Sequence, residues 1–217
     1  MKNSLIASLI IILVSFLTSL YFYPQLPENL ASHWNAQGEV DGYMLRFWSL
    51  FLMPIISSIL LAVLLIVPKI DPLKKNIEKF KNYFNNFIVF ILLFLFYIQL
   101  LTLFWNKGIR FDMVQLIIPP IGLVFYYAGI LAENSKRNWF IGIRTPWTLS
   151  DERVWNKVNK RGGKIFKVSG IIAIFSMLVP EYGIFLLIVP VITGSIYLVA
   201  YSYFEYMRLN RGNMRRR

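Results

Sequence analysis

The chain has no cysteine and only one histidine, His33. The first absence excludes disulfides and thiolate chemistry. The two together argue against a zinc site, because proteins hold zinc mainly with cysteine and histidine side chains. The sequence also has no nucleophile motif and no phosphate-binding glycine loop. We therefore predict no metal and no cofactor.

Charged residues are scarce: they make up 16% of the 217 residues, against 57% hydrophobic residues. A soluble domain has about a quarter charged residues. The apolar residues form long runs, which is typical of membrane proteins. No run has an acid or base near its centre, which argues against a pump or an ion-coupled carrier. The main polar groups at depth should bond between helices; they are Ser57, Ser58, Gln99, Thr102, Gln115, Ser176 and Thr193.

Six apolar runs predict an all-α, polytopic integral membrane protein with six transmembrane helices. The predicted spans are residues 4–23, 47–67, 84–105, 113–132, 163–180 and 182–204. The fifth apolar run, Ile165–Val179, is short, since a helix of that length rises only about 22 Å and a hydrocarbon core is about 30 Å thick. We therefore expect this helix to begin earlier, within the preceding loop. Pro180 and Gly183 should separate it from the last span.

Lysine and arginine lie almost entirely on one side of these spans. With the N-terminus inside the cell, the inner segments hold 20 of the 23 Lys and Arg residues. This asymmetry predicts a multi-pass protein of the cell (plasma) membrane with both termini cytoplasmic. The segments between spans are then an outer loop at 24–46, inner loops at 68–83 and 133–162, and a basic inner tail at 205–217. The net charge of +12 thus reflects orientation in a lipid bilayer, and no direct binding of nucleic acid is predicted.

Prolines lie in the outer third of each helix that runs inward. They are Pro54, the pair Pro119 and Pro120, and Pro190. Proline bends a helix, so three related hairpins with similar kinks are one interpretation. The other is that proline is simply frequent in membrane helices.

The outer loop, which contains LPENLASHWNAQGEVDGY, is acidic and rich in turn residues. Pro27 favours an extended or turn conformation, and Asn35–Gly38 and Asp41–Gly42 are turn sequences. His33 and Trp34 could contact a ligand or an interfacial lipid. A histidine beside a tryptophan also occurs in ordinary loop packing, so two interpretations stand.

The largest inner loop contains NWFIGIRTPWTLSDERVWNKVNKRGG, residues 138–163, which we call the signature segment. Gly142 and Pro146 predict an irregular start. Ser150 is a candidate N-cap, and Trp155 falls on the apolar face of the helix that follows. Gly162 and Gly163 should end a short, basic amphipathic helix on the inner membrane surface. The alternative is that Trp139, Trp147 and Trp155 are interface anchors and that the basic residues only set topology.

The order Ile-Gly-Ile-Arg-Thr-Pro-Trp-Thr-Leu-Ser in this segment closely resembles the signature of the SdpI-like family, bacterial immunity proteins against the sporulation-delaying toxin and their relatives. The outer loop resembles the N-terminal domain of unknown function found in the same proteins. The likeness covers nearly the whole chain. Two departures are Asn159, where many members have histidine, and Arg46, near where a lysine often stands.

The resemblance implies two sets of site residues. In the inner signature they are Asn138, Trp139, Gly142, Arg144, Thr145, Pro146, Trp147, Ser150, Asp151 and Trp155. In the outer loop they are Pro27, His33, Trp34, Asn35, Gly38, Asp41 and Gly42.

The resemblance further implies protection of the producing cell from a secreted, membrane-active peptide toxin. From the best-known member of the family it also implies a sensing role, in which toxin engagement lets the protein hold a cytosolic repressor at the membrane. One alternative is an integral membrane enzyme with a cytoplasmic polar site, since Glu133, Arg144, Asp151 and Glu152 gather on the inner side. Another is a small transporter of peptide or lipid. Without a nucleophile or metal motif, we predict that the chain is not an enzyme.

Overall fold

The computed structural model describes residues 2–214; Arg215–Arg217, the end of the predicted basic tail, lie outside the described residues. The elements follow in the order α1 (Lys2–Phe22), β1 (Asn29–Trp34), β2 (Val40–Leu45), α2 (Arg46–Ile70), α3 (Lys74–Glu78), α4 (Lys81–Asn106), α5 (Met113–Asn134), α6 (Pro146–Ser150), α7 (Glu152–Phe175) and α8 (Gly183–Met214). The fold is a helical bundle, and the all-α prediction omits one antiparallel β-hairpin, β1–β2.

Five of these helices, α1, α2, α4, α5 and α8, are long and apolar enough to cross a membrane. The chain is therefore a multi-pass membrane protein. α7 is not among the five because its first half is polar and basic, with Lys157, Lys160 and Arg161 within three turns. Its second half is apolar and packs along α5.

The long helices alternate in direction through the bundle. One end holds the β-hairpin, where α1, α4 and α7 end and α2, α5 and α8 begin; we call it the hairpin end. The opposite end holds α3, α6 and the start of the signature segment, and we call it the signature end. Contacts divide the helices into two groups of three: α1, α2 and α4 pack together, as do α5, α7 and α8, and α4 meets α5 between the groups.

Gln99 of α4 bonds to the other helices of the first group from a buried position. Its Nε2 donates to Ser19 Oγ (2.8 Å) and Ser15 O (3.0 Å) of α1, and its Oε1 accepts from Ser15 Oγ. Ser19 Oγ also donates to Leu50 O of α2 (2.7 Å). The prediction of bonding between helices is confirmed for Gln99. The hydroxyls that bond within their own helices are those of Ser58, Thr102, Ser176 and Thr193.

Glycines allow α5 and α7 to pack at very short range. A Cβ at Gly170 would lie 2.4 Å from Gly122 O, and one at Gly163 would lie 2.5 Å from Gly129 O. Only a residue without a side chain lets two helix backbones approach this closely. The prediction that Gly162 and Gly163 end a short surface helix is therefore wrong. α7 continues through both glycines, because there they provide close packing rather than a helix end.

Candidate functional site

Asn138 organises the start of the signature segment. Its side chain is fully buried, and its Oδ1 accepts from the backbone N–H groups of Phe140 (2.9 Å) and Ile141 (2.6 Å). Its Nδ2 donates to the carbonyl oxygens of Lys136 (2.7 Å) and Ile141 (2.8 Å). One amide side chain thus satisfies four backbone groups, and it holds residues 136–141 in a tight turn.

A second buried side chain ties this turn to the end of α2. Asp71 Oδ2 accepts from Trp139 N (2.8 Å), and Oδ1 accepts from Leu73 N (2.6 Å). Asn76 Nδ2 donates to Arg137 O (2.8 Å). The segments 68–83 and 133–162, predicted as two separate loops, are therefore joined by hydrogen bonds.

Asp71→Asn is expected to loosen this junction without unfolding the bundle. The amide keeps one acceptor oxygen, while its NH2 group would face a backbone N–H, so one bond is lost and a donor is left buried. Such a donor costs about 1–3 kcal/mol. Hydrogen–deuterium exchange should accelerate at Leu73 or Trp139 and stay unchanged in α1. Glu78→Gln, at an exposed acid of α3, is the matched control, and wild-type exchange at both amides in the Asp71 variant would contradict this role.

Gly142 and Asn159 fix the next part of the segment. Gly142 has a φ of +114°, and a Cβ there would lie 2.7 Å from Asn159 Oδ1. The positive φ and the lack of space each require glycine at this position. Asn159 Oδ1 accepts from Ile143 N (2.8 Å). Trp155 is fully buried, and its Nε1 donates to Ser135 O (3.3 Å). The interpretation of Trp155 as an interface anchor is therefore wrong, because its indole lies inside the protein.

Thr145 and Thr148 cap α6 and attach it to α8. Thr145 Oγ1 accepts from Thr148 N (3.2 Å), and Thr148 Oγ1 accepts from Thr145 N (2.8 Å). Thr145 Oγ1 also donates to Ser202 Oγ of α8 (3.0 Å). Pro146 lies in the first turn of α6, where its missing N–H has no intrahelical partner to lose. The middle of the signature segment is thereby fixed to the second helix group.

The N-cap of α7 is Asp151 and not the predicted Ser150. Asp151 is the N-cap, and its Oδ1 accepts from Arg153 N (2.8 Å). Ser150, the predicted cap, lies in α6 and donates to Pro146 O (2.6 Å). Arg153 Nη2 also donates to Asp151 Oδ2 (2.7 Å), and this hydrogen bond lowers the pKa of Asp151 to about 2. The carboxylate is therefore charged at every physiological pH.

Part of the signature segment stays at the surface. Arg144 Nη1 donates to Trp139 O (2.7 Å), and both residues are exposed. Trp147 is half-buried, and its ring meets that of Tyr203 of α8 edge-on, with 5.2 Å between centroids. The predicted site residues of this segment that are exposed are Trp139, Arg144, Pro146 and Ser150. A partner can reach these residues, whereas Asn138, Thr145 and Trp155 support them from within.

At the hairpin end, Asn35 builds the turn between the strands. Its Oδ1 accepts from Gln37 N (3.0 Å) and Glu39 N (2.9 Å), and Gly38 has a φ of +79°. The turn predicted at Asn35–Gly38 is confirmed. The turn predicted at Asp41–Gly42 is wrong, because both residues lie within β2.

The exposed face of the hairpin carries a contact between a histidine and a carboxylate. His33 Nδ1 lies 2.5 Å from Asp41 Oδ1 on the neighbouring strand. Gly42 pairs with His33 in the register of the sheet, and a Cβ at Gly42 would lie 2.9 Å from His33 Cβ. Pro27 is exposed just before β1.

α4 holds the hairpin against the bundle. Asn106 Oδ1 accepts from Ala31 N (2.9 Å), and Asn106 Nδ2 donates to Ala31 O (3.0 Å). Trp34 meets Trp105 edge-on, with 5.5 Å between ring centroids, and the Arg110 guanidinium lies 3.7 Å from the centroid of Trp105. Trp34 is therefore part of the packing between hairpin and bundle.

These two regions are also the ones that known proteins share. Residues 134–203 match the SdpI/YfhL protein family, and residues 10–57 match a domain of unknown function, DUF1648. Over 211 residues the chain is 31% identical to the immunity protein SdpI of Bacillus subtilis (strain 168), covering 97% of this chain and 99% of that protein. The chain belongs to the SdpI family. No solved structure matches it.

The SdpI family match covers the whole signature segment, and the DUF1648 match covers the hairpin. The structure brings the ten predicted signature residues together at one end and the seven outer-loop residues together at the other. The two sets lie at opposite ends of the bundle, so they are two candidate sites rather than one. Any communication between them must run through the helices.

Three side chains that hold these sites in place were not predicted from the sequence: Asp71, Asn76 and Asn106. Asp71 and Asn106 each follow a long apolar run, where a polar residue is ordinarily solvated. In the sequence each of these residues is recognisable only as a short polar side chain at a helix end. That pattern does not identify the distant backbone group that the side chain binds.

The residues considered for a cytoplasmic enzyme site do not converge. Asp151 binds Arg153, whereas Glu133 Oε2 pairs with Lys167 Nζ on α7 at 2.7 Å. Arg144 binds a backbone carbonyl, and Glu152 is exposed. Among residues 2–214 no hydrogen bond or ion pair links these four side chains to one another.

Proposed function

We propose that the chain protects the cell that makes it from a secreted, membrane-active peptide toxin. The observation that carries this proposal is the similarity, over nearly the full length of both chains, to a protein named as an immunity protein. Two separate sites suit such a role: one can meet a toxin arriving from outside, and the other can meet a partner inside the cell.

In the topology we propose, α7 is the fifth of six spans and both termini are cytoplasmic. The part of α7 that crosses the membrane is then its apolar half with the turns that follow, residues 163–180, which rise about 27 Å if helical, close to the thickness of a hydrocarbon core. The second half of α7 holds two cations: Lys164 lies at the inner end of this part, and Lys167 is paired with Glu133 and so does not face lipid alone. The signature end then lies in the cytoplasm, and the hairpin end lies outside.

The absence of native cysteine allows a direct test of this sidedness. Gln37 in the hairpin turn and Asn156 on α7 are both exposed. In intact cells, a membrane-impermeant maleimide should label a Gln37→Cys variant and leave an Asn156→Cys variant unlabelled until the cells are lysed. Labelling of the Asn156 variant in intact cells would overturn the proposed orientation.

The hairpin end is the proposed site of toxin contact, and the exposed Trp139 and Arg144 are the proposed contacts for a cytosolic partner. Arginine and tryptophan dominate many protein interfaces. Sensing requires a change that passes along the helices, and Pro54, Pro119 and Pro190 lie inside α2, α5 and α8, where a bend can alter. If a repressor is that partner, it should copurify with the membrane protein only after toxin is added.

Arg144→Ala is expected to abolish resistance in a toxin-sensitive strain that expresses the chain. The substitution removes the exposed guanidinium and its bond to Trp139 O, while no buried group loses a partner. Survival should therefore fall to that of cells without the gene, at wild-type protein level in the membrane. Lys136→Ala removes a nearby exposed cation and should keep full resistance. Wild-type survival of an Arg144→Ala, Trp34→Ala double variant would contradict the roles given to both ends.

A further inference from the structure

A cavity of about 560 Å3 lies beneath the hairpin, between the two helix groups. Met53 of α2 and Thr102 of α4 line one side, and Ile121 of α5 and Leu187 of α8 line the other. Residues 32–36 of the hairpin form its cover. Ligand cavities typically measure about 300–1,000 Å3, so this cavity has the size of a binding site.

The cavity is apolar and accessible from outside the protein. Its lining is mostly isoleucine, leucine and methionine, and three lining residues, His33, Ala36 and Ile188, are exposed. Burial of an apolar side chain in such a space is favourable because it removes apolar surface from water. The space therefore suits an apolar group that enters beside the hairpin.

One residue of the cavity lining, Trp34, carries an indole N–H donor. Its Nε1 is buried without a hydrogen-bond acceptor among the described residues. Buried indole N–H groups usually have a partner, because leaving one unsatisfied costs free energy. A carbonyl oxygen of a bound molecule would supply the missing acceptor.

Three acidic side chains adjoin residues of the cavity lining and form what we call the acidic rim: Glu39 Oε2 accepts from Asn35 Nδ2 (3.1 Å), Asp41 lies against His33, and Asp112 precedes Met113. Gly38 packs on one of them, since a Cβ there would lie 3.1 Å from Asp112 Oδ1. Within the rim, His33 faces Asp41. The cations of the hairpin end each lie against an aromatic ring and donate to an oxygen of the protein; they are Arg46, Lys107 and Arg110. The rim is thus complementary to a positively charged molecule.

We propose, on the basis of the immunity function above, that this cavity binds an apolar segment of a cationic amphipathic peptide. The apolar side chains fill the space between the helix groups, one peptide carbonyl oxygen accepts from Trp34 Nε1, and the peptide's cations lie at the acidic rim. A membrane-active peptide carries both an apolar face and cationic groups. A phospholipid with an anionic headgroup fits less well, because its phosphate would meet the rim.

The cavity can be probed through a single introduced cysteine, because the native chain has none. Leu187→Cys places a thiol in the cavity lining, and Ile192→Cys places one on the exposed face of the same helix. The purified full chain is treated with a maleimide, with and without a synthetic amphipathic peptide of leucine and lysine. The peptide is expected to slow labelling of the Leu187→Cys variant at least tenfold and to leave the Ile192→Cys variant unchanged.

Two further substitutions in the Leu187→Cys background separate the proposed contacts. Asp112→Asn removes a rim charge but keeps a good cap for α5, and Trp34→Phe keeps the aromatic ring but removes the donor. Each should raise the peptide concentration needed for half protection by about tenfold, as expected for a lost hydrogen bond or charge contact. A leucine–glutamate peptide should give no protection.

Three results would overturn the proposal: equal labelling with and without the leucine–lysine peptide, equal protection by the leucine–glutamate peptide, or protection by phosphatidylglycerol vesicles alone. The last would make the cavity a lipid site. Failure of the immunity function itself would appear differently, as wild-type chain that gives no resistance. Full resistance from folded Ile121→Trp, which fills the cavity, would exclude toxin binding there and leave the immunity function standing.

Discussion

Gly170→Leu is expected to leave little folded protein, because the substitution separates α7 from α5. A Cβ at this position would lie 2.4 Å from Gly122 O and 2.8 Å from Tyr126 N, and both are backbone atoms of a packed helix. A flexible side chain could move aside, but a helix backbone cannot. Overpacking a core costs about 1–3 kcal/mol even where side chains can adjust, so we expect more than about 3 kcal/mol here.

The measurement is the amount of monodisperse protein after extraction, together with its melting temperature. Ala200→Leu introduces the same side chain at an exposed position of α8 and should behave as wild type. Gly170→Ala, which adds only the Cβ, should be intermediate. If Gly170→Leu melted at the wild-type temperature, the close approach of α5 and α7 would not be a determinant of the fold.

The packing role of Gly162 and Gly163 could not be predicted from the sequence. A Gly-Gly pair after a basic amphipathic stretch is compatible with a helix end and with close helix packing. Which of these two structures forms depends on Gly129 O. This carbonyl oxygen lies 34 positions from Gly163 in the sequence, and a Cβ at Gly163 would lie 2.5 Å from it. No local pattern contains that partner, so the sequence predicts a helix end at a position where α7 in fact continues.

The apolar runs, by contrast, predicted the long helices well. In a membrane a backbone must satisfy its own hydrogen bonds, so a long apolar run has one regular structure available to it. The polar segments lack this constraint. The hairpin depends on Asn106 of α4 binding both backbone groups of Ala31, and the signature turn depends on Asp71 at the end of α2. These are tertiary contacts, which the sequence alone did not reveal.

The tryptophans of the signature segment illustrate the same point. Trp139 is exposed, Trp147 is half-buried against Tyr203, and Trp155 is fully buried. The alternative interpretation from the sequence places all three at the membrane interface. Their burial differs because Gly142 leaves room for the Trp155 ring, which a Cβ there would meet at 3.0 Å.

Asn159 has a structural role at the contact between α7 and the signature segment. Its Oδ1 accepts from Ile143 N, and its Nδ2 donates to Trp155 O (3.2 Å). An amide does not titrate, so in this chain the contact between α7 and the signature segment is independent of pH at this residue.

Asn138→Leu is expected to open the signature turn and abolish resistance while the helical bundle stays folded. Leucine has nearly the same size but offers neither donor nor acceptor, so the N–H groups of Phe140 and Ile141 and two carbonyl oxygens lose their partners. Each buried unsatisfied group costs about 1–3 kcal/mol. The four groups together cost at least about 4 kcal/mol. This exceeds the local stability of a surface turn, so the turn should unfold locally.

Asn134→Leu is the matched control for this substitution. Within the described part of the chain, the Asn134 side chain donates only to Ile130 O, a carbonyl of its own helix (2.8 Å). The same change there should therefore cost less than about 1 kcal/mol and keep resistance. Hydrogen–deuterium exchange in the Asn138 variant should rise at residues 138–143 and stay protected in α4 and α5. Because Trp139 and Arg144 are presented by this turn, survival should fall with the exchange. A variant with an open turn and full resistance would show that the exposed pair is not what the function requires.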